Sequence, residues 1–250
     1  MTGDTYDAIV LGAGAAGLMC AATAGQRGRR VLVVDHAAEP GAKIVISGGG
    51  RCNFTNIHTA PDRFVSANPH FARSALARYT PDDFVATVER HGIGWHEKTL
   101  GQLFCDRSAR DIVAMLLGEC GMGRVDMALG RTVTAVDHAD GRFRVGVDGA
   151  SHAGAALVIA TGGPSIPKLG ATGFAYELAR RFGLKVVEPR PALVPLTLGA
   201  GEALFRDLAG VSAQVVARCG TAAFPEAALF THRGLSGPAI LQVSSYWRHG

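Results

Sequence analysis

The sequence has no CxxC pair. Its five cysteines, Cys20, Cys52, Cys105, Cys120 and Cys219, are far apart and odd in number. That spacing indicates neither a zinc site nor a redox dithiol, so no metal is expected. A set of unpaired thiols fits a reducing cytoplasm. No apolar stretch reaches the roughly 18 residues needed to span a bilayer, which argues against a membrane role. The first strand-like run begins within a few residues of Met1, leaving no room for a signal peptide. Lysine is scarce, limited to Lys43, Lys98, Lys168 and Lys185, and the net charge of +4 is spread over scattered arginines. No basic stripe interleaved with aromatics stands out, so a nucleic-acid partner is not expected. Repeats and low-complexity segments are absent too. The 250 residues, 48% hydrophobic and 18% charged, suit one large soluble domain or a domain with an insertion.

What is present is concentrated at the start. Residues 6–11 form an apolar run with β-branched centres, as in a strand buried on both faces. Gly12-x-Gly14-x-x-Gly17 follows, then a small-residue helix and a second apolar run, 31–34, closed by Asp35. In such a βαβ unit Gly12 permits the tight turn, Gly14 lets backbone approach a pyrophosphate, and Gly17 lets helix and strand pack closely. The helix N-terminus offers N–H groups and a positive dipole end to phosphate. Asp35 stands near the roughly 20-residue spacing of a ribose-binding acid, where it would repel the 2′-phosphate of NADP. Since there is one such glycine motif in the chain, a second, dedicated nicotinamide domain is not indicated.

A second unusual stretch is 43–56, Lys-Ile-Val-Ile-Ser-Gly-Gly-Gly-Arg-Cys-Asn-Phe-Thr-Asn. Gly48, Gly49 and Gly50 remove side chains where something flat could lie against the backbone. Arg51, Cys52 and Asn53 follow at once. Arg51 could stabilise negative charge on a bound ring or substrate. Cys52 is either a reactive thiol favoured by adjacent cations or a small packing residue. Residues 68–79 and 80–92 read as two helices, the second capped by Thr80 with Asp83 in a capping box. Residues 102–105 read as a short strand, with Asp106 capping a helix to about Cys120. Asp140-Gly141 between two apolar runs is a hairpin signal, placing a small antiparallel meander ahead of a buried strand, 156–161, that ends in Thr161-Gly162-Gly163. From Pro189 the texture changes, which sets domains at 1–188 and 189–250, the latter mainly β. In it, Ser236 reads as the cap of a new helix, and His232 and Arg233 stand between a solvated loop and a site role.

Four stretches together carry a family resemblance: Gly12-x-Gly14-x-x-Gly17, the 43–56 segment, Ala-Thr-Gly-Gly at 160–163, and Leu-Phe-Thr-His-Arg-Gly-Leu-Ser-Gly-Pro-Ala-Ile-Leu at 229–241. The chain resembles the bacterial NAD(P)/FAD-dependent oxidoreductases labelled BaiN-like or aminoacetone-oxidase-like. The resemblance implies an α/β fold: a Rossmann-like FAD/NAD(P)-binding domain with a central parallel sheet and β-meander, plus the start of an inserted β-rich domain. Family members are longer, so ending at Gly250 implies a fragment. Two departures are Asp35, where glutamate is more usual, and Gln102-Leu-Phe-Cys105, where the family has an Arg-Val-Phe-Pro-like sequence.

By the same resemblance the cofactor is FAD. Gly12, Ala13, Gly14, Ala15 and Ala16 would meet its pyrophosphate, Asp35 its ribose and Val133 its adenine. Thr161 and Gly162 would lie near the pyrophosphate or ribityl chain, and Lys43 with residues 48–53 near the flavin ring. Gly17, His36, Ser47 and Gly163 complete the expected cofactor set, and Arg51, Cys52 and Asn53 are the candidate catalytic neighbourhood. The expected activity is hydride or electron transfer between flavin and a small organic substrate, with NAD(P)H or oxygen as partner. The alternative is a non-catalytic flavin-binding sensor or interaction protein, with an RNA-associated flavoprotein as a minor variant.

Overall fold

The computed structural model describes residues 4–199 and 207–248. Two compact units divide the chain, Met1–Val186 and Val187–Gly250. The first begins with β1 (Thr5–Leu11), α1 (Ala15–Gln26) and β2 (Val31–Asp35), with β2 parallel to β1 from Ala8↔Val31 to Leu11↔Val34. From Ala8 to Leu11 and from Val31 to Val34 the two strands are apolar, as suits strands covered on both faces. Val10, Val31 and Val33 pack with Leu18 and Ala21 of α1 on one face; Ile9, Leu11, Leu32 and Val34 form the other cluster. Each such buried side chain contributes about 1.5–3 kcal/mol.

The chain then builds the walls of a cavity. The loop after β2 leads into α2 (Ala42–Ile46), a tight turn over Ser47–Gly50 and β3 (Asn53–Asn56). Next come α3 (Arg73–Arg78), α4 (Pro81–Arg90), β4 (Trp95–Glu97), β5 (Gln102–Cys105) and α5 (Ala109–Met122). Strands β3, β5 and β4 form a small antiparallel sheet. The capping box on α4 is present: Thr80 Oγ1 accepts from Asp83 N–H, and Asp83 accepts from Thr80 N–H. The helix expected at 68–79 shrinks to the six residues of α3, because 68–72 form turns in which Asn68 accepts the His70 N–H. Ser108, not Asp106, caps α5 by accepting the Arg110 N–H, while Asp106 pairs instead with His96. Helix α5 lies close along α1, where a Cβ on Gly25 would meet the Gly123 carbonyl oxygen at 2.5 Å.

Strand β6 (Asp126–Leu129) pairs parallel with β2. The meander follows as β7 (Val133–Ala139), β8 (Arg142–Val147) and β9 (Ala150–Ile159). Its first turn holds Asp140 at φ 54° and Gly141 at φ 71°, the two positive values a type I′ hairpin requires. The sequence suggests a meander and then a separate buried strand; a single strand, β9, takes both places, and of its residues Gly154 alone is buried. Residues 150–154 pair antiparallel with β8 while 153–159 pair parallel with β1. The mixed six-stranded sheet therefore runs β6-β2-β1-β9-β8-β7, a Rossmann-like α/β arrangement. The following α6 (Phe174–Arg181) inserts Leu178 beside Val136 and Val145 of the meander.

The second unit contains β10 (Leu196–Thr197), β11 (Ser212–Cys219), β12 (Ala222–Thr231), β13 (Gly234–Ser236) and α7 (Pro238–Ser244). Its antiparallel sheet has the order β10-β13-β12-β11. Ser236 does not cap α7: it pairs with Leu229 in the sheet, and Gly237 takes the cap position. His232 and Arg233 sit exposed at the β12–β13 turn. The final His249 and Gly250 lie outside the described residues. Among the described residues, no helix is long and apolar enough to cross a membrane.

Candidate functional site

A cavity of about 710 Å³ opens within the first unit, lined by residues that follow the carboxyl ends of β1, β2 and β9. That end of a parallel sheet is where open α/β folds bind ligands. The three motif glycines are not equivalent here. Gly12, at φ 105°, lies so close to the segment after β9 that a Cβ would meet the Ala160 carbonyl oxygen at 2.5 Å. A Cβ on Gly17 would overlap the Gly12 carbonyl oxygen, whereas one on Gly14 would meet no protein atom within 4 Å. Gly12 and Gly17 are thus required by the fold's own packing, and Gly14 faces open cavity. The α1 N-terminus beside it has no side-chain cap and no acidic residue in its first turn, so its free N–H groups and dipole are available to an anion.

Asp35 braces this turn. Its Oδ2 accepts the Ala13 N–H at 2.6 Å and its Oδ1 accepts the Ala37 N–H at 2.8 Å, with His36 Nδ1 3.4 Å from Oδ1. The shorter aspartate carboxylate thus sits directly on the glycine turn. A second recess of about 300 Å³ contains Val133 with Arg131, Thr132 and Phe174, and shares Gly12, Asp35, His36, Thr161 and Gly170 with the larger cavity.

The opposite wall comes from α2 and β3. Lys43 Nζ donates to the Gly163 carbonyl at 3.2 Å and to Ser165 Oγ at 3.0 Å. Ser47, Cys52 and Asn53 line the same space, as do Gly12, Ala13, Gly14, Ala15, Ala16, Asp35, His36, Thr161 and Gly162. Several expected site residues do not. Gly17 is behind the turn, Gly163 accepts from Lys43 without lining the cavity, and Gly48, Gly49, Gly50 and Arg51 lie outside the cavity lining. The glycine run has a local explanation. Gly48, Gly49 and Gly50 have φ of 57°, 67° and 87°, and a Cβ on Gly48 would meet Asn53 N at 2.7 Å. A reversal of chain direction through three positive φ values gives these glycines a local reason. Arg51 is exposed at the end of that turn.

Cys52 is buried, at φ 51°. Burial pushes its thiol up, with a hydrogen bond to Ser47 pulling weakly the other way. Cys105 is pushed up to about 12 by burial, with Cys52 adding to the effect. Both are neutral thiols at neutral pH, so the cations of the sequence neighbourhood do not make Cys52 a thiolate. In the native protein, alkylation of Cys52 by iodoacetamide at neutral pH is expected to be at least about tenfold slower than in the unfolded chain. Equal rates, read by peptide mass spectrometry, would restore the reactive-thiol assignment.

Phe54, Tyr79, Phe84 and Leu116 form an apolar wall drawn from four separate segments. Phe54 and Phe84 pack with ring centroids 5.9 Å apart, and Tyr79 Oη lies 3.2 Å from Thr87 Oγ1. Phe54 belongs to the 43–56 stretch, whereas no local pattern links it to Tyr79, Phe84 or Leu116.

A family model described as HI0933-like protein Rossmann domain matches residues 6–236. A ribosomal RNA dihydrouridine synthase of Escherichia coli (strain K12) is 52% identical over 252 residues, covering 99% of this chain and 62% of the relative. The protein of the same name from Haemophilus influenzae is 46% identical over 246 residues, covering 96% of this chain and 61% of the relative. A 3-dehydro-bile acid delta(4,6)-reductase of Clostridium scindens is 28% identical over 251 residues, with 96% and 60% coverage. The chain spans about three fifths of the length of these relatives. The two higher-identity names differ from the BaiN-like and aminoacetone-oxidase-like labels. They also overturn the expectation that nucleic acid is not a partner, because both relatives are named for ribosomal RNA. A low net charge spread over the whole chain hides any basic patch confined to one local segment.

Proposed function

The chain belongs to the HI0933-like family of Rossmann-domain proteins, and from that membership and the names of its two higher-identity relatives we propose that it carries the FAD site of an enzyme reducing uridine to dihydrouridine in ribosomal RNA. The observation that carries the cofactor assignment is the single cavity joining the glycine turn, Asp35, Lys43 and the segment 160–162. Its size falls in the range of sites for small molecules and cofactors, about 300–1,000 Å³. The open space in front of Gly14 fits a bulky group pressed against backbone.

In this reading the uncapped N–H groups at the start of α1 hold the pyrophosphate. Asp35 accepts from ribose hydroxyls and disfavours a 2′-phosphate. The recess at Val133 takes the adenine. Lys43 places a positive charge on the wall, which favours an electron-rich ring bound there. Phe54, Phe84 and Leu116 make that end of the cavity apolar. Bound FAD supplies hydride chemistry that the protein's own side chains lack. Reduction of uridine adds one hydride and one proton across the C5=C6 bond, with NAD(P)H as the ultimate donor. The reductase name of the Clostridium relative agrees with this redox direction. A ribosomal RNA substrate also fits the cytoplasm expected from the unpaired cysteines.

The test supplies purified protein with FAD, either NADH or NADPH, and unmodified ribosomal RNA made by transcription. Dihydrouridine should appear in nucleoside mass spectra and depend on added flavin and nicotinamide. A flavin-loaded protein that bleaches with a nicotinamide donor yet leaves every uridine unchanged would sink the RNA part of the reading.

A further inference from the structure

Segment 57–79 is unlike the rest of the first unit. Residues 62–71 are exposed without a break, and Ala72 is the one buried position in the segment. The local order comes from short-range bonds: Arg63 N–H to the Ala60 carbonyl, Phe71 N–H to the Asn68 carbonyl and Arg73 N–H to the His70 carbonyl. Large apolar side chains nevertheless face solvent. Val65 is 64% and Phe71 72% exposed, and Phe64 is 45% exposed. Among the described residues, five Phe, Tyr or Trp side chains are exposed, and three of them are Phe64, Phe71 and Tyr79. Clustered exposed rings that the fold does not cover mark an interaction surface.

The charges say what kind of surface it is. Arg63, Arg73 and Arg78 are the cations of the segment and Asp62 its one acid. Asp62 lies 3.7 Å from Arg63 with both side chains largely exposed, an ion pair of little strength. Arginines alternating with aromatic rings suit a partner that carries a flexible anionic backbone and flat faces together. Unpaired nucleotides have this chemistry: bases stack on rings while guanidinium groups take phosphates. The position adds a second observation. Thr59, Leu76 and Tyr79 of the same segment line the 710 Å³ cavity, so the strip runs to the cavity's rim. An enzyme acting on a base must take it out of the stack and into a pocket.

We propose that segment 57–79 is the surface on which this protein binds single-stranded RNA, with bases stacking on Phe64 and Phe71 and phosphates held by Arg63, Arg73 and Arg78 at the cavity rim. This rests on the RNA reading above and assigns that reading a surface.

The test measures binding of the full, FAD-loaded chain to a fluorescent uridine-rich single-stranded RNA by anisotropy, at several salt concentrations. The comparison is with Phe64→Ala/Phe71→Ala and with Arg73→Gln/Arg78→Gln. All four side chains are exposed, so both variants should keep the wild-type circular dichroism and flavin occupancy. The ring variant should bind about five- to a hundredfold more weakly with an unchanged salt slope. The arginine variant should reduce the log–log salt slope by about 0.7 for each phosphate that is no longer neutralised. Dihydrouridine formation, measured in parallel, separates the two claims. If the wild type modifies or binds RNA and both variants match it, the surface is wrong and the RNA reading stands. If the wild type neither binds nor modifies RNA, both fall. Variants that change only self-association, or binding to anionic lipid vesicles, would also overturn the proposal.

Discussion

Gly14→Val is expected to fold and to lose its flavin. Gly14 has an extended backbone, φ −83° and ψ −173°, which a β-branched residue adopts readily, and a Cβ there meets no protein atom within 4 Å. The cost to the fold is that of a poor helix cap, about 1 kcal/mol. The valine methyl groups would instead occupy space at the α1 N-terminus, where backbone must approach a pyrophosphate. FAD affinity should fall by roughly a hundredfold or more, about 2.7 kcal/mol, so that the protein leaves gel filtration colourless. Gly17→Ala makes the opposite case. Alanine is a better helix former than glycine by about 1 kcal/mol, but its Cβ would overlap the Gly12 carbonyl oxygen. Steric overlap of backbone outweighs propensity, and a net loss of about 2–3 kcal/mol is expected. Flavin absorbance and thermal melts on the two variants give opposite patterns if these roles are right. A Gly14→Val protein that keeps its flavin bands would remove the pyrophosphate assignment.

The second large effect lies away from the cavity, at Glu119 on α5. Its side chain is mostly buried and ties three helices together. Oε1 lies 2.6 Å from His91 Nε2 and accepts from Arg90 Nη2 at 3.2 Å, while Oε2 accepts from Gln26 Nε2 at 2.7 Å. Burial by itself would raise this carboxyl, but the hydrogen bonds from His91, Gln26 and Arg90 outweigh it and hold the group below its ordinary value. Glu119→Ala leaves those donors without their acceptor, at a cost of about 2–3 kcal/mol. For a chain of this size that corresponds to a melting temperature lower by roughly 5–10 °C. The sign of the pH dependence follows. A carboxyl depressed in the folded state binds fewer protons there than in the unfolded chain. Its contribution is fully present above the unfolded value of about 4.3 and is lost as pH falls through the lower folded value. Glu119→Gln should therefore lose stability at neutral pH yet converge on the wild type in acid. Parallel melting curves across that range would show that the network does not act through the charged form.

Glu119 also illustrates what a sequence conceals. Gln26, Arg90, His91 and Glu119 form no motif, and only the packing of α1, α4 and α5 brings them together. The first βαβ unit is the reverse case. Its strand, glycine turn, helix, second strand and acid are consecutive, so local sterics and hydrophobic period specify it without long-range information. Capping is intermediate. The reciprocal Thr80–Asp83 pattern is local and readable, whereas at α5 two polar candidates, Asp106 and Ser108, stand two residues apart. The pairing of Asp106 with His96 on β4 selected between them.

The glycine run at 48–50 has a local reason to be conspicuous. Three consecutive positive φ values turn the chain before β3, and the same composition would serve a ligand face. In the same way, the arginines and aromatics of 57–79 are ordinary in a count over 250 residues, and only exposure separates them from core. By itself, then, the sequence determined the dinucleotide-type βαβ unit, the hairpin at Asp140-Gly141 and the Rossmann-like class, because each depends on neighbours within a few residues or on a two-residue period. Tertiary structure alone decided that β9 serves two sheet neighbours, that Gly14 rather than Gly12 or Gly17 faces open space, and that Arg51 stands outside the cavity while Phe54, Tyr79, Phe84 and Leu116 line it. Those outcomes depend on which distant segments come to occupy the same volume, and steric exclusion between such segments is not written in any local pattern.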